Sequence, residues 1–128
     1  MKHGYVALAL DYYAEVGGAP AGSKRRFELW PQWQQTIRNS VKYLQNLLEV
    51  KDDRIGIVGF SRGGYLAITT AGSIPSIKAM VDYYGGSKSP EDLEQYACNL
   101  PPTLILHGDA DKMVPLSFSR ALYGMLKK

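Results

Sequence analysis

Apolar and polar positions alternate along this chain in two different periods. Tyr5-Val6-Ala7-Leu8-Ala9-Leu10 is an unbroken apolar run, the form taken by a strand buried on both faces. A polar, Gly-containing loop is expected from Asp11 to about Glu28. Trp30, Trp33, Ile37, Val41, Leu44 and Leu48 then recur at spacings of three and four, with Arg38, Lys42 and Gln45 between them. That spacing predicts an amphipathic helix with Pro31 in its first turn. Asp52-Asp53-Arg54 leads into a second strand, Ile55 to Phe60, followed by a helical segment from Leu66 to Ala71. Ile77 to Tyr84 reads as a third strand ended by Gly85-Gly86. After a Ser/Pro/Glu-rich connection, Thr103-Leu104-Ile105-Leu106 reads as a fourth. Val114, Phe118, Leu122 and Met125 mark a terminal amphipathic helix. Strands alternating with helices predict an α/β fold, a mostly parallel sheet with flanking helices, in a single domain over residues 1–128.

Between the second strand and its helix lies Gly59-Phe60-Ser61-Arg62-Gly63-Gly64. Gly-x-Ser-x-Gly at a strand-to-helix junction is the pattern of a sharp turn that lifts a serine hydroxyl out at the carboxyl edge of a sheet. Gly59 and Gly63 flank Ser61 by two on each side, where a Cβ would collide as the helix folds back on the strand. Such a turn strains the serine backbone. It also leaves the first helical N–H groups facing the place where a carbonyl oxygen would become an oxyanion. The plainer alternative for Ser61 is an ordinary helix N-cap, but the flanking strand and helix favour the turn.

Composition narrows the functional classes. At 128 residues, 45% hydrophobic and 21% charged, the chain is an ordinary globular domain with enough length for a core. No apolar run approaches the ~20 residues of a membrane span, and the first residues lack a signal-peptide layout, so no membrane partner is expected. The net charge of +3 is mild. Lys24-Arg25-Arg26, assigned to the loop, has no aromatic residues interleaved, so no nucleic-acid partner is expected. Cys98 is the single cysteine, which excludes an intrachain disulfide and a cysteine-rich metal site. A reducing cytoplasm fits that usage.

The fourth strand runs into His107-Gly108-Asp109-Ala110-Asp111-Lys112-Met113-Val114-Pro115. An acid just past a strand's carboxyl end shares the sheet edge of Ser61, where open α/β sheets bind ligands. It also follows the serine in chain order. Gly4 to Tyr12, Asp53 to Gly64 and His107 to Pro115 together resemble the α/β-hydrolase superfamily. The closest resemblance is to its dienelactone hydrolase and prolyl-oligopeptidase-like branch, over nearly the whole chain. The resemblance implies that Ser61 is a nucleophile and Asp111 the acid that orients a catalytic histidine. The backbone N–H of Arg62 would be an oxyanion donor. Dienelactone hydrolases proper use a cysteine nucleophile, so a serine points to esters or related acyl compounds. A small acyl substrate is then the expected partner, and no cofactor or metal is implied.

The chain departs from that pattern in two places. Its two histidines are His3 and His107, whereas the family's base sits on a loop after one more strand, which these residues do not contain. His3 precedes the first strand, at the amino edge. If the family sheet order holds, the strand of His107 is two removed from that of Ser61, roughly 9–10 Å away at ordinary strand spacing. His107 is therefore expected to structure the acid's loop. The family strand that precedes Gly4, with the second oxyanion donor on its loop, is also missing from this partial α/β-hydrolase fold. Two outcomes are open: the four strands close up into a smaller sheet, or strand exchange or association of copies completes it. Weak or absent hydrolysis by this polypeptide is expected. The competing reading is a non-catalytic scaffold or interaction module.

Overall fold

The computed structural model describes residues 3–18, 23–86 and 93–128. The backbone divides into two compact units, Met1–Asp52 and Asp53–Lys128. In the first, Tyr5 to Leu10 adopts no regular secondary structure, against the expectation of a strand. A strand exists only through the ladder that satisfies its N–H and C=O groups, and no ladder includes this run among the described residues. Its side chains are correspondingly open, Tyr5 being 80% exposed. A 3-10 turn, Ala14–Val16, follows. Asp11 Oδ1 starts it by accepting the N–H groups of Tyr13 at 3.0 Å and Ala14 at 3.1 Å.

Helix α1, Ser23–Gln45, begins eight residues before Pro31 and carries it in its interior. Lys24-Arg25-Arg26 thus lies in the helix, not in a loop, and Arg25 pairs with Glu28 one turn on at 3.4 Å. The part of the expected loop at residues 19–22 lies outside the described residues. An interior proline forfeits a backbone bond and costs about 3 kcal/mol. The offset lies in one continuous face: Leu29, Trp33, Thr36, Ile37 and Val41 are all buried, at the three-and-four spacing of a single stripe. Leu29 extends that stripe ahead of the proline. Trp33 is wholly buried, with the rings of Tyr12 and Tyr13 edge-on, each at 5.5 Å, and that of Trp30 at 5.7 Å.

The second unit holds β1 (Ile55–Phe60), α2 (Arg62–Ala71), β2 (Ile77–Tyr83), α3 (Glu94–Ala97), β3 (Thr103–Leu106) and α4 (Ser117–Leu126). The three strands form a parallel sheet in the order β1-β2-β3. The sheet is one strand short of the four expected, because Tyr5 to Leu10 does not join it. Most of the Ser/Pro/Glu-rich connection, residues 87–92, lies outside the described residues. Val114 falls in the loop before α4 rather than in the helix.

Ladder partners share a face of the sheet. Gly59, Asp82 and Ile105 stand abreast, as do Val58, Val81 and Leu104 one step back. The face of Gly59 and Asp82 carries α2, whose Leu66, Ala67, Ile68 and Ala71 are buried with Met80. The opposite face is apolar yet open: Val58, Phe60, Leu104 and Leu106 are each more than a third exposed, and the Phe60 and Tyr83 rings stack at 4.6 Å. No helix among the described residues is long and apolar enough to cross a membrane.

Candidate active site

Ser61 stands at the junction of β1 and α2 with φ 52° and ψ −118°. Positive φ is costly for a residue with a Cβ and persists only where the surroundings impose it. They do so from both sides. Behind, the Ser61 N–H donates to the Tyr83 carbonyl at 2.9 Å, extending the β1–β2 ladder by one bond. Ahead, the Ser61 carbonyl accepts the Tyr65 N–H at 3.1 Å, the first helical bond of α2. The reversal leaves no room at its inner corner. A Cβ on Gly59 would lie 2.6 Å from Gly63 C and Gly64 Cα. The collision foreseen between Gly59 and the returning helix is thus real, and Gly64 shares in it.

The serine hydroxyl is not spent on the helix. Although Ser61 occupies the N-cap position, its side chain makes no capping bond, and the residue is exposed. The plain N-cap reading therefore fails. Ser61 stands at the carboxyl end of β1, beside the first turn of α2, to which the Arg62 N–H belongs.

Asp111 follows the carboxyl end of β3, so it shares the sheet edge of Ser61. Its Oδ1 accepts the Met113 N–H at 2.7 Å and the Val114 N–H at 3.0 Å, an Asx-type turn that shapes the loop. Those two bonds, the Val114 one foremost, hold its carboxyl below the usual carboxylate range. Its Oδ2 lies 3.6 Å from His107 Nε2, an electrostatic contact rather than a hydrogen bond.

His107 has both ring nitrogens occupied: Nε2 lies 2.8 Å from the Val114 carbonyl and Nδ1 2.7 Å from Ser119 Oγ. A carbonyl only accepts, so Nε2 donates to Val114, while Nδ1 shares the second bond with the Ser119 hydroxyl. The ring is 2% exposed and ties β3 to the acid loop and to α4. Its strand is indeed two removed from β1. His3 is exposed and belongs to the first unit.

Asp82 is a buried carboxylate whose importance the sequence only hinted at. It lies near the carboxyl end of β2, where its side chain turns to the α2 face and is wholly buried. Oδ1 accepts the Gly85 N–H at 3.0 Å, while Oδ2 has no hydrogen-bond partner among the described residues. Burial pushes its pKa up to about 6, against the opposing pull of the Gly85 N–H and of His107. An acid inside the apolar run Ala79-Met80-Val81-Asp82-Tyr83 was the available signal.

Known proteins place this arrangement. The Xenopus tropicalis carboxymethylenebutenolidase homolog is 30% identical, over 98% of this chain and 52% of that protein; the chain spans about half the length of the curated relatives it matches. Est1E from Butyrivibrio proteoclasticus superposes with a TM-score of 0.67 at 22% identity, over 77% of this chain and 57% of its own. Esterase PE8 superposes with a TM-score of 0.63 at 26% identity, over 77% and 46%. These neighbours share the α/β-hydrolase fold. The dienelactone hydrolase family model matches residues 1–128, and with the serine turn, the acid loop and the parallel sheet in that order, the chain belongs to the dienelactone hydrolase family.

Proposed function

We propose that these residues carry the nucleophile and the acid of a serine hydrolase acting on esters or related acyl compounds. One observation carries the reading: an exposed Ser61, its side chain unused as a cap, on a backbone held at φ 52° between β1 and α2. In this reading the turn is a nucleophile elbow. Ser61 Oγ attacks an acyl carbonyl, and the Arg62 N–H holds the oxyanion that forms. A histidine takes the serine proton and Asp111 stabilises the imidazolium. Membership of the dienelactone hydrolase family and the esterase neighbours support hydrolysis. The esterase neighbours and the serine in place of cysteine support an ester as the bond cut. The single cysteine agrees with a reducing, cytoplasmic setting.

A second reading has its own observation. His107 gives both ring nitrogens to Ser119 and Val114, so it is not placed to deprotonate Ser61, and an unactivated serine is a poor nucleophile. By themselves these 128 residues would then act as a scaffold that keeps the turn without rapid turnover.

A fluorophosphonate probe and a short-chain p-nitrophenyl ester decide between them. Slow covalent labelling that disappears in Ser61→Ala supports the hydrolase reading, as does ester turnover that grows when a further histidine-bearing segment is added. Brisk turnover lost in both Ser61→Ala and His107→Ala would instead make His107 the base. No labelling under any condition leaves the scaffold.

A further inference from the structure

Three glycines and one carboxyl are packed together beneath the serine turn. Gly59 faces Asp82 directly across the β1–β2 ladder. On the helix side, a Cβ built on Gly64 would strike Asp82 Oδ1 and come within 3.0 Å of Gly85 Cα. On the loop side, a Cβ built on Gly85 would strike the same oxygen and lie 2.8 Å from Gly64 C and 2.9 Å from Tyr65 N. Asp82 Oδ1 thus sits where β1, the first turn of α2 and the turn after β2 converge, and it bonds the Gly85 N–H. Its other oxygen has no hydrogen-bond partner among the described residues. Leucine or asparagine at this place would fill space without leaving a charge to bury, so packing alone does not account for an acid.

We propose that Asp82 is a positioning residue for Ser61, clamping Gly85 against the first turn of α2, and that its charge state is transmitted through that clamp to the serine turn. When protonated, the carboxyl keeps its bond from the Gly85 N–H and buries no charge. On losing its proton to water it places a negative charge beneath the N-terminal turn of α2. The N–H groups there are the positive end of the helix. The charge draws on the same partial positive charge that a developing oxyanion would use, and the unpartnered Oδ2 then favours a shift that admits a donor.

The groups around Asp82 restrict what else can respond. β1 and α2 present Gly59 and Gly64 to it, and β3 presents Ile105 across the ladder; none of these titrates. Among the described residues, His107, just past β3, is the ionisable group that acts on it. Beyond it lie Asp111 on the acid loop and Ser119 on α4. On the same strand Lys78 is exposed and bonds the Pro75 carbonyl, while Tyr83 and Tyr84 follow at the carboxyl end. Arg62 heads α2.

The inference shares its serine with the hydrolase reading but is tested without hydrolysis. In a 15N-labelled chain, the amide shifts of residues 62–64 and 85 are followed from pH 4.5 to 8, together with the carboxyl 13C shift of Asp82. The expected result is one shared midpoint near pH 6, the value to which burial raises this carboxyl. Asp82→Asn keeps an acceptor for Gly85, and it should flatten the amide titration while leaving Ser61 in its turn. His107→Gln should leave the titration in place. Amides 62–64 that do not move while the Asp82 carboxyl titrates would overturn the proposal. So would a titration that survives Asp82→Asn or vanishes in His107→Gln. If Asp82→Asn does not fold, the coincidence or divergence of carboxyl and amide midpoints in the parent decides alone. Loss of fluorophosphonate labelling with the titration intact would count against the hydrolase reading and not against this one.

Discussion

Ser61 holds a φ of 52° and a ψ of −118° because its N–H must reach Tyr83 while its carbonyl begins a helix. A residue with a Cβ kept there stores about 1–3 kcal/mol. Glycine relieves that strain and loses up to about 1 kcal/mol through the freer unfolded chain. Ser61→Gly should therefore be more stable than Ser61→Ala by about 1 kcal/mol, read as a higher urea midpoint at unchanged slope. Both should lose labelling by a fluorophosphonate. The reverse stability order would mean that the turn does not impose the strain. Gly64 tests the packing below. Its Cβ would meet Asp82 and the Gly85 backbone, which have nowhere to retreat, so Gly64→Ala should cost about 2 kcal/mol or more. A melting temperature equal to the parent's would contradict the close approach.

Helix α1 shows how an element can override its own punctuation. A proline is at home in the first turn of a helix, and Pro31 was expected there. Instead α1 starts at Ser23, because Leu29 lengthens the buried stripe through Trp33, Ile37 and Val41. The missing backbone bond is outweighed by apolar burial, about 1.5–3 kcal/mol for each large side chain. Pro31→Ala should then raise stability by about 1–3 kcal/mol and leave helical circular dichroism equal or stronger. A loss of stability would show that the proline shapes the helix in a way the stripe does not explain. The Tyr5 to Leu10 run is the opposite case. Its composition suits a strand, but a strand's hydrogen bonds belong to a neighbour, and no periodicity can supply one. The acid loop lies between these cases: Asp111 was legible as an acid past a strand, whereas the two bonds that bend the loop around it were not.

At the scale of the molecule, two carboxyls pull stability in opposite directions with pH. Asp82 rises from 3.8 to about 6 in the folded chain. Between those values the folded state holds a proton that the unfolded state has released, so its contribution is complete below pH 3.8 and lost as pH climbs through about 6. At about 1.4 kcal/mol per pKa unit, the ionised form costs the fold on the order of 3 kcal/mol at neutral pH. Asp111 is lowered from 3.8, so its contribution is present above that value and disappears on further acidification. Parent stability minus that of Asp82→Asn should accordingly fall between pH 4.5 and pH 7, measured by urea unfolding. A difference that stays constant with pH would show that folding does not shift the Asp82 pKa.

What the sequence determined by itself was local and steric. Gly-x-Ser-x-Gly between an apolar run and a helix specified the turn at Ser61, since only glycine tolerates that approach of helix to strand. Alternation of strands and helices specified a parallel sheet, since parallel neighbours need a crossover. The order of β1, β2 and β3 put His107 two strands from Ser61, as the resemblance implied. Tertiary structure decided everything that depends on a partner distant in the chain. It left Tyr5 to Leu10 without a ladder, because pairing is a property of two segments. It ran α1 through Pro31, because burial of a whole stripe outweighs one backbone bond. It gave both nitrogens of His107 to Val114 and Ser119. Finally, it turned Asp82 inward beneath the serine turn, because a strand residue's face is set by register with its neighbours, and a side chain on Gly64 or Gly85 would take the place of its carboxyl.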